Sequence, residues 1–404
     1  MLSVKNRHVM VIGILLLLIL GGCSKKEWIN NGELDQYDTR VRFGSDIDGD
    51  GEKCIVGLDD FANKGAAEIY VNDDVFGWSS KAFIFTPDGE AGDRFGISVG
   101  MDKNVAIIGA DGHDWSDGAA YIFEEVEDEW SRYYKLQAPD VDSRSYFGRS
   151  VDIEGNVAVV GAPLAKSKKG EVGAVYVYEF KDNDWIMTEK LFSSEQNIEA
   201  QFGSVIDLCG EWMVIGESRV FSGKNSGNAY IFHKEDNNWK EFQIISLKPE
   251  DLDVNFYMSA CLYDNELLIG NTQSNRAGYA KCEARLYVFD GNTWEFHQEL
   301  TTEGDLNKES FGNKVSLSSK YAFVSAPGAV VDGVRGSGAV YVFKKEKDDW
   351  VFSQKLVSGD PAELDFLGQS LYITDKDAFL GMPYKMHPDN KYIHTGGVLH
   401  FMLK

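Results

Sequence analysis

Apolar residues fall in short blocks that recur along the chain. In residues 130–185, "WSRYYKLQAPD" alternates polar and apolar positions and breaks at Pro139-Asp140, which predicts a half-buried strand and its exit. "YFGRSVDIEG" supplies a second short strand. Asn156 to Pro163, "NVAVVGAP", is a continuous apolar run ended by Gly-Ala-Pro, and Gly173 to Phe180, "GAVYVYEF", is another β-rich run. "KDNDW" then provides the Asp and Asn of a tight hairpin turn, as do "EVEDEW", "HKEDNNW", "FDGNTW" and "KEKDDW" elsewhere. The middle runs "VAIIGA", "VAVVGA", "WMVIGE", "ELLIGN" and "AFVSAP" are apolar at successive positions, so both faces of those strands are predicted to be buried. No stretch keeps helical spacing over three turns.

The blocks repeat. A Trp recurs at Trp28, Trp78, Trp130, Trp185, Trp239, Trp294 and Trp350. After each of the last six, a Phe-Gly-like pair begins seventeen residues on: Phe95-Gly96, Phe147-Gly148, Phe202-Gly203, Phe256-Tyr257, Phe311-Gly312 and Leu367-Gly368. Phe43-Gly44 follows Trp28 by fifteen. A period near fifty with four strands per unit predicts an all-β, seven-bladed β-propeller of four-stranded blades. The last unit ends at its third strand, "GVLHFMLK", while the N-terminus carries a spare Trp28 strand. If that strand completes the last blade, the ring closes and no sheet edge is left open.

"FGRSVDIEGNVAVVGAP…GAVYVYE" resembles the FG-GAP repeat of integrin alpha-subunit propellers and of many bacterial surface proteins. "FGISVGMDKNVAIIGAD…GAAYIFE" and "FGNKVSLSSKYAFVSAPG…GAVYVFK" resemble it nearly as well. The resemblance covers residues 28–404. Unit five departs from it with Phe256-Tyr257, "IGNT" and "EARLYVF", and unit seven has Leu367 for Phe; both departures bear on local loop geometry.

The first residues stand apart. Lys5 and Arg7 precede a twelve-residue apolar run, Val9 to Leu20, too short to span a bilayer as a helix and suited to a signal peptide. It ends in Leu20-Gly21-Gly22-Cys23, which resembles the lipobox of bacterial lipoproteins. This divides the chain into a signal peptide over 1–22, a lipidated tether over 23–27 with Cys23 as the attachment site, and the propeller over 28–404. Ser24 after the Cys resembles the outer-membrane pattern of Gram-negative lipoproteins. Five residues reach at most about 17 Å, so the face carrying the hairpin turns is expected near the membrane and the opposite, long-loop face away from it. An exported chain permits disulfides; Cys261, on a first strand, and Cys282, in a loop before a third, are a candidate pair, with free buried thiols as the alternative.

A net charge of -24 argues against nucleic acid as a partner. The loops between units hold much of the acid: Asp88, Glu90, Asp93, Asp140, Asp142, Glu195, Glu199, Glu250, Asp251, Asp253, Glu303, Asp305, Glu309, Asp360, Glu363 and Asp365, against Arg94, Arg144, Lys248 and Lys308. They read as a solvated surface or as a face for a basic protein or bridging cations. The loops after the Gly-Ala-Pro positions carry His113, Trp115, Tyr384, His387, Tyr392 and His394. Aromatics among polar groups suit a sugar or a protein partner, or a loop packing its own rings. Asp46-x-Asp48-x-Asp50-Gly51 resembles the Asp-rich calcium loops of integrin repeats, with a plain Asp-Gly turn as the alternative; its spacing from Phe43 to Gly57 equals that from Phe95 to Gly109, which has no Asp triplet. Hydrolase, metalloprotease and P-loop signatures are absent. The chain is therefore expected to be a non-catalytic envelope module recognising a protein or glycan through its long-loop face. The alternative is an envelope enzyme or carbohydrate-processing component using that face.

Overall fold

The computed structural model describes residues 26–34, 41–73, 77–140, 144–218, 227–247, 255–275, 278–387 and 389–404. The signal segment, Cys23 and the side chain of Tyr392 lie outside the described residues, as do Asp142, Arg219, Lys224, Lys248, Glu250, Asp251 and Asp253.

Seven four-stranded antiparallel sheets form the blades of a propeller. Blade 3 shows the plan: Ser150–Glu154, Val157–Ala162, Ala174–Lys181 and Asp184–Leu191 follow one another from the inside outward. Its second strand is buried at every position and its fourth alternates, as strands packed on two faces and at a wet rim should. Blade 7 takes Leu371–Ile373, Asp377–Gly381 and Val398–Leu403 from the C-terminus and its outermost strand, Trp28–Glu33, from the N-terminus. Trp28 pairs with Leu403 and Glu33 with Leu399, so the ring closes through main-chain hydrogen bonds.

Each neighbouring pair of blades shares a hydrophobic cluster. One seam buries Trp28 with Tyr321, Phe323, Leu356, Leu380 and Phe401, and the next joins Leu34, Val41 and Phe43 to Phe379 and Val398. The repeat Phe residues, and Leu367 in unit seven, are fully buried. Each repeat Gly that follows them has a positive φ, between 87° at Gly44 and 96° at Gly368, a conformation that L side chains rarely adopt.

The Gly of the second strand has a different reason. A Cβ on Gly57, Gly109, Gly161 or Gly270 would sit 2.0, 2.0, 2.1 or 2.3 Å from the carbonyl oxygen of Gly96, Gly148, Gly203 or Gly312 in the next blade. A Ser on the innermost strand donates to the same carbonyl: Ser98 to Gly148 and Ser150 to Gly203, both at 2.8 Å. Ser370 to Gly44, at 2.7 Å, repeats the contact where blade 7 meets blade 1. Unit five lacks the Gly. Its first strand runs unbroken from Asn255 to Tyr263, and Gly216 faces Met258 instead of a carbonyl. The departure in the repeat thus straightens one strand and leaves the ring intact.

Two readings need correction. Cys282 lies within the third strand of blade 5, Gly278–Phe289, rather than in a loop before it. Cys261 and Cys282 are separated by the whole second strand, and both are free thiols. Burial pushes the Cys282 thiol up to about 12.

Candidate binding face and central channel

The long-loop face holds the loops between second and third strands and those between blades. Trp28 begins the outermost strand of blade 7 beside Lys404, with Glu27 and Lys404 exchanging both backbone bonds. That end carries the hairpin turns, so the long loops lie on the opposite end.

Among the described residues, Trp115 is the most exposed large hydrophobic side chain, at 90%. It stands in a helical turn, His113–Ser116, whose Asp114, Trp115 and Ser116 have φ of 48°, 62° and 75°. Left-handed backbone costs a non-glycine residue roughly 1–2 kcal/mol each. The turn is held by Ser116 N–H to Gly112 O at 3.1 Å and Gly118 N–H to His113 O at 3.0 Å. His113 is engaged inward: one ring nitrogen, Nδ1, lies 2.8 Å from Asp93 Oδ2 and the other, Nε2, 2.8 Å from Lys135 Nζ. The Lys135 ammonium can only donate, so Nε2 accepts and the ring proton sits on Nδ1, donating to Asp93.

Tyr384 and His394 belong to the blade 7 loop, where Met386–His387 and Asn390–His394 pair as a small ribbon. The Tyr384 ring meets Phe366 and His394 edge-on, each at 5.9 Å, and His394 Nδ1 donates to the Tyr384 carbonyl at 2.7 Å. His387 Nδ1 accepts the Asp389 N–H at 3.1 Å. Part of this aromatic set therefore packs its own loop, while Tyr384 stays 37% exposed and lines the central channel.

The channel has a volume of ≈ 510 Å³. Its wall is made by innermost strands, which are sheet edges with unpaired amides, and acidic side chains bridge those edges. Asp46 Oδ2 accepts Val99 N–H at 3.1 Å and Asp48 Oδ2 accepts Met101 N–H at 2.8 Å. Asp152 accepts from Leu208 at 2.6 Å and Asp207 from Leu262 at 2.7 Å. Asp50 instead sits at the hairpin turn and accepts Glu52 and Lys53 N–H at 2.9 and 2.8 Å. Asp46, Asp48 and Asp50 are thus spread along a strand and a turn, and among the described residues no group of three or more His, Cys, Asp or Glu is placed to hold a metal ion. Burial, and then repulsion from Asp152, pushes Asp48 and Asp207 well above the usual carboxylate range; burial brings Asp152 to about 7.

At the long-loop end the charge changes sign. Arg42 Nη2 donates to Asp59 Oδ2 at 2.7 Å, and Arg94 Nε lies 4.0 Å from the same oxygen. Arg94 Nη1 and Arg149 Nη1 each lie 3.3 Å from an Asp111 oxygen. The result is an alternating belt across three blades: Arg42, Asp59, Arg94, Asp111, Arg149. Burial outweighs Arg42 and Arg94 and holds Asp59 at about 6. Lys314, from blade 6, lines the same cavity. Sequence reasoning missed this rim because its members come from four units; the only signal was a basic residue immediately before or just after the Phe-Gly pair.

Several acidic loop residues have a structural task. Asp88 bonds Tyr121 and Lys135 of the next blade, Asp140 bonds Tyr176 and Lys190, and Glu309 bonds Tyr341 and Lys355. These pins tie three inter-blade loops to the blades that follow them.

The family model described as the FG-GAP repeat matches residues 73–123, 130–178 and 294–343. Integrin alpha-11 of Homo sapiens is 36% identical over 101 residues, which is 22% of this chain and 8% of the integrin, so the chain matches less than a tenth of that relative's length. The hydrazine synthase of Kuenenia stuttgartiensis shares the fold with a TM-score of 0.56 at 9% identity, covering 91% of this chain and 97% of that one; at such identity the likeness is one of fold alone. Three stretches of the chain thus match the FG-GAP repeat, and its seven sheets form one β-propeller.

Proposed function

We propose that the propeller is a non-catalytic binding module, tethered at a bacterial cell envelope through a lipid on Cys23, that recognises a protein or glycan with its long-loop face. The observation that carries the reading is Trp115: a large ring 90% exposed, on three successive left-handed residues. Strain of this kind persists where surrounding structure enforces it, and it clusters at functional positions. The closing strand supports the tether, because residue 28 starts at the hairpin-turn end and leaves the long-loop face turned away from the membrane.

The test is capture from envelope extracts on immobilised protein, wild type against a Trp115→Ala/Tyr384→Ala/Tyr392→Ala variant, with a glycan array run beside it. A partner or glycan held by the wild type and lost by the folded variant is expected. Undiminished binding by the variant would remove the site. For the tether, Cys23→Ser is expected to move the protein from the membrane to the soluble fraction.

A further inference from the structure

We propose that the long-loop mouth of the central channel binds a carboxylated sugar, its acid group taken by Arg94, Arg149 and Lys314. This rests on the glycan branch of the reading above. The cavity, ≈ 510 Å³, has the size of a small-ligand site.

Its rim concentrates cations in a chain whose net charge is -24. Arg42, Arg94 and Arg149 face Asp59, Asp60 and Asp111, so the belt is balanced and Lys314 adds the further positive charge. Arg94 and Arg149 keep 35% and 44% of their side chains exposed. Lys314 forms no ion pair among the described residues. Arg149 places a single donor, Nη1, on Asp111, and a guanidinium has five in a fork that matches a carboxylate.

The rest of the wall suits a polyol ring. Tyr384 brings an exposed aromatic ring to the rim, and apolar sugar faces pack on such rings. Below it, Asp side chains and the oxygens of Ser hydroxyls, whose protons go to the Phe-Gly carbonyls, offer acceptors. The burial that raises Asp48, Asp152 and Asp207 favours their neutral forms, so the shaft repels an anion less than its acid count suggests. A bare phosphate would use the cations and leave the ring and hydroxyl wall idle, so the cavity favours an acid carried on a sugar.

The experiment is titration calorimetry on the full chain at pH 6 and low salt, with D-glucuronate, D-glucose and inorganic phosphate as probes. Glucuronate is expected to bind in the millimolar range or tighter, and at least about tenfold tighter than the other two. Lys314→Gln breaks no ion pair and should weaken glucuronate several-fold. Lys314→Gln/Arg149→Gln should abolish it, with circular dichroism confirming the fold. No glucuronate binding, binding unchanged in the double variant, or glucose or phosphate binding as tightly would each overturn the assignment. Capture of a partner that depends on Trp115 but persists in the rim double variant would show that the module reading stands even where the rim site fails.

Discussion

Gln354 links the last complete blade to the closing strand. Its Oε1 accepts the Trp28 N–H at 2.9 Å and its Nε2 donates to the Trp28 carbonyl at 2.7 Å. The same clamp occurs at interior seams: Gln243 on Trp294 at 2.8 and 2.8 Å, and Gln298 on Trp350 at 2.9 and 2.8 Å. Each Gln sits four residues after its own blade's Trp and grips the next. Gln354→Ala removes both bonds and strands two partly buried backbone groups, at a cost of about 2–3 kcal/mol. Trp28 is 3% exposed and meets Tyr321 and Phe323 edge-on, each at 5.2 Å, so Trp28→Ala should cost about 3–5 kcal/mol. Its indole N–H has no acceptor among the described residues, so Trp28→Phe should cost much less. Urea denaturation of each single variant and of Gln354→Ala/Trp28→Ala gives the values and their coupling, with Gln298→Ala as the interior reference. If Gln298→Ala costs about 2 kcal/mol while Gln354→Ala stays within about 0.5 kcal/mol of wild type, the closing seam is not equivalent to the others and the ring-closure argument fails.

Three further outcomes are expected. Gly161→Ala drives a Cβ to 2.1 Å from the Gly203 carbonyl, so its melting midpoint should fall well below that of Gly359→Ala, where nothing lies within 4 Å and φ is not positive; equal midpoints would remove close approach as the reason for that glycine. Asp152 has its folded pKa raised, so the stability it contributes is present at low pH and is lost as pH rises through about 7. The groups pressing on it are Glu154 and Asp46, and it in turn repels Asp48 and Asp207. Asp152→Asn keeps an acceptor for Leu208 N–H and should stabilise the protein at pH 8 by on the order of 1–4 kcal/mol, with little change at pH 4; denaturation at the two pH values decides it. Trp115→Ala should leave stability within about 0.5 kcal/mol while weakening partner capture, and a cooperative loss of fold would refute its assignment as a display residue.

The propeller was legible because its periodicity is local: apolar runs, hairpin turns and the spacing of Trp to Phe-Gly all lie within single units. The closing role of Trp28 followed from counting strands at both ends. What the sequence hid is what joins one unit to the next. Gln243, Gln298 and Gln354 look like ordinary polar positions on half-exposed strands until the next blade is in place. Asp46, Asp48 and Asp50 alternate as a calcium loop does, yet alternation on a strand sends the first two toward the same neighbouring blade, while the third holds its own turn. The rim is hidden more deeply. Arg42, Arg94, Arg149 and Lys314 are far apart in sequence, and only the closed circle makes them neighbours.

The seams also explain how the long-loop face is braced. An apolar cluster alone would let neighbouring blades slide, since burial is non-directional. Here the seams add directional ties at different depths: Gln or Glu clamps at the outer strand of some, as with Glu189 on Trp239 at 3.1 Å, Ser to the Phe-Gly carbonyl at others, and carboxylates at the channel wall. The loop pins Asp88, Asp140 and Glu309 extend the same logic to the long-loop face. A ligand meeting that face would find Arg94 and Arg149 already held by Asp111 and the Tyr384 ring held against Phe366 and His394, and would spend little of its binding free energy on ordering them. Acidic side chains thus join neighbouring blades, and at the channel mouth they also hold the guanidiniums of Arg42, Arg94 and Arg149, beside which Lys314 stands unpaired among the described residues.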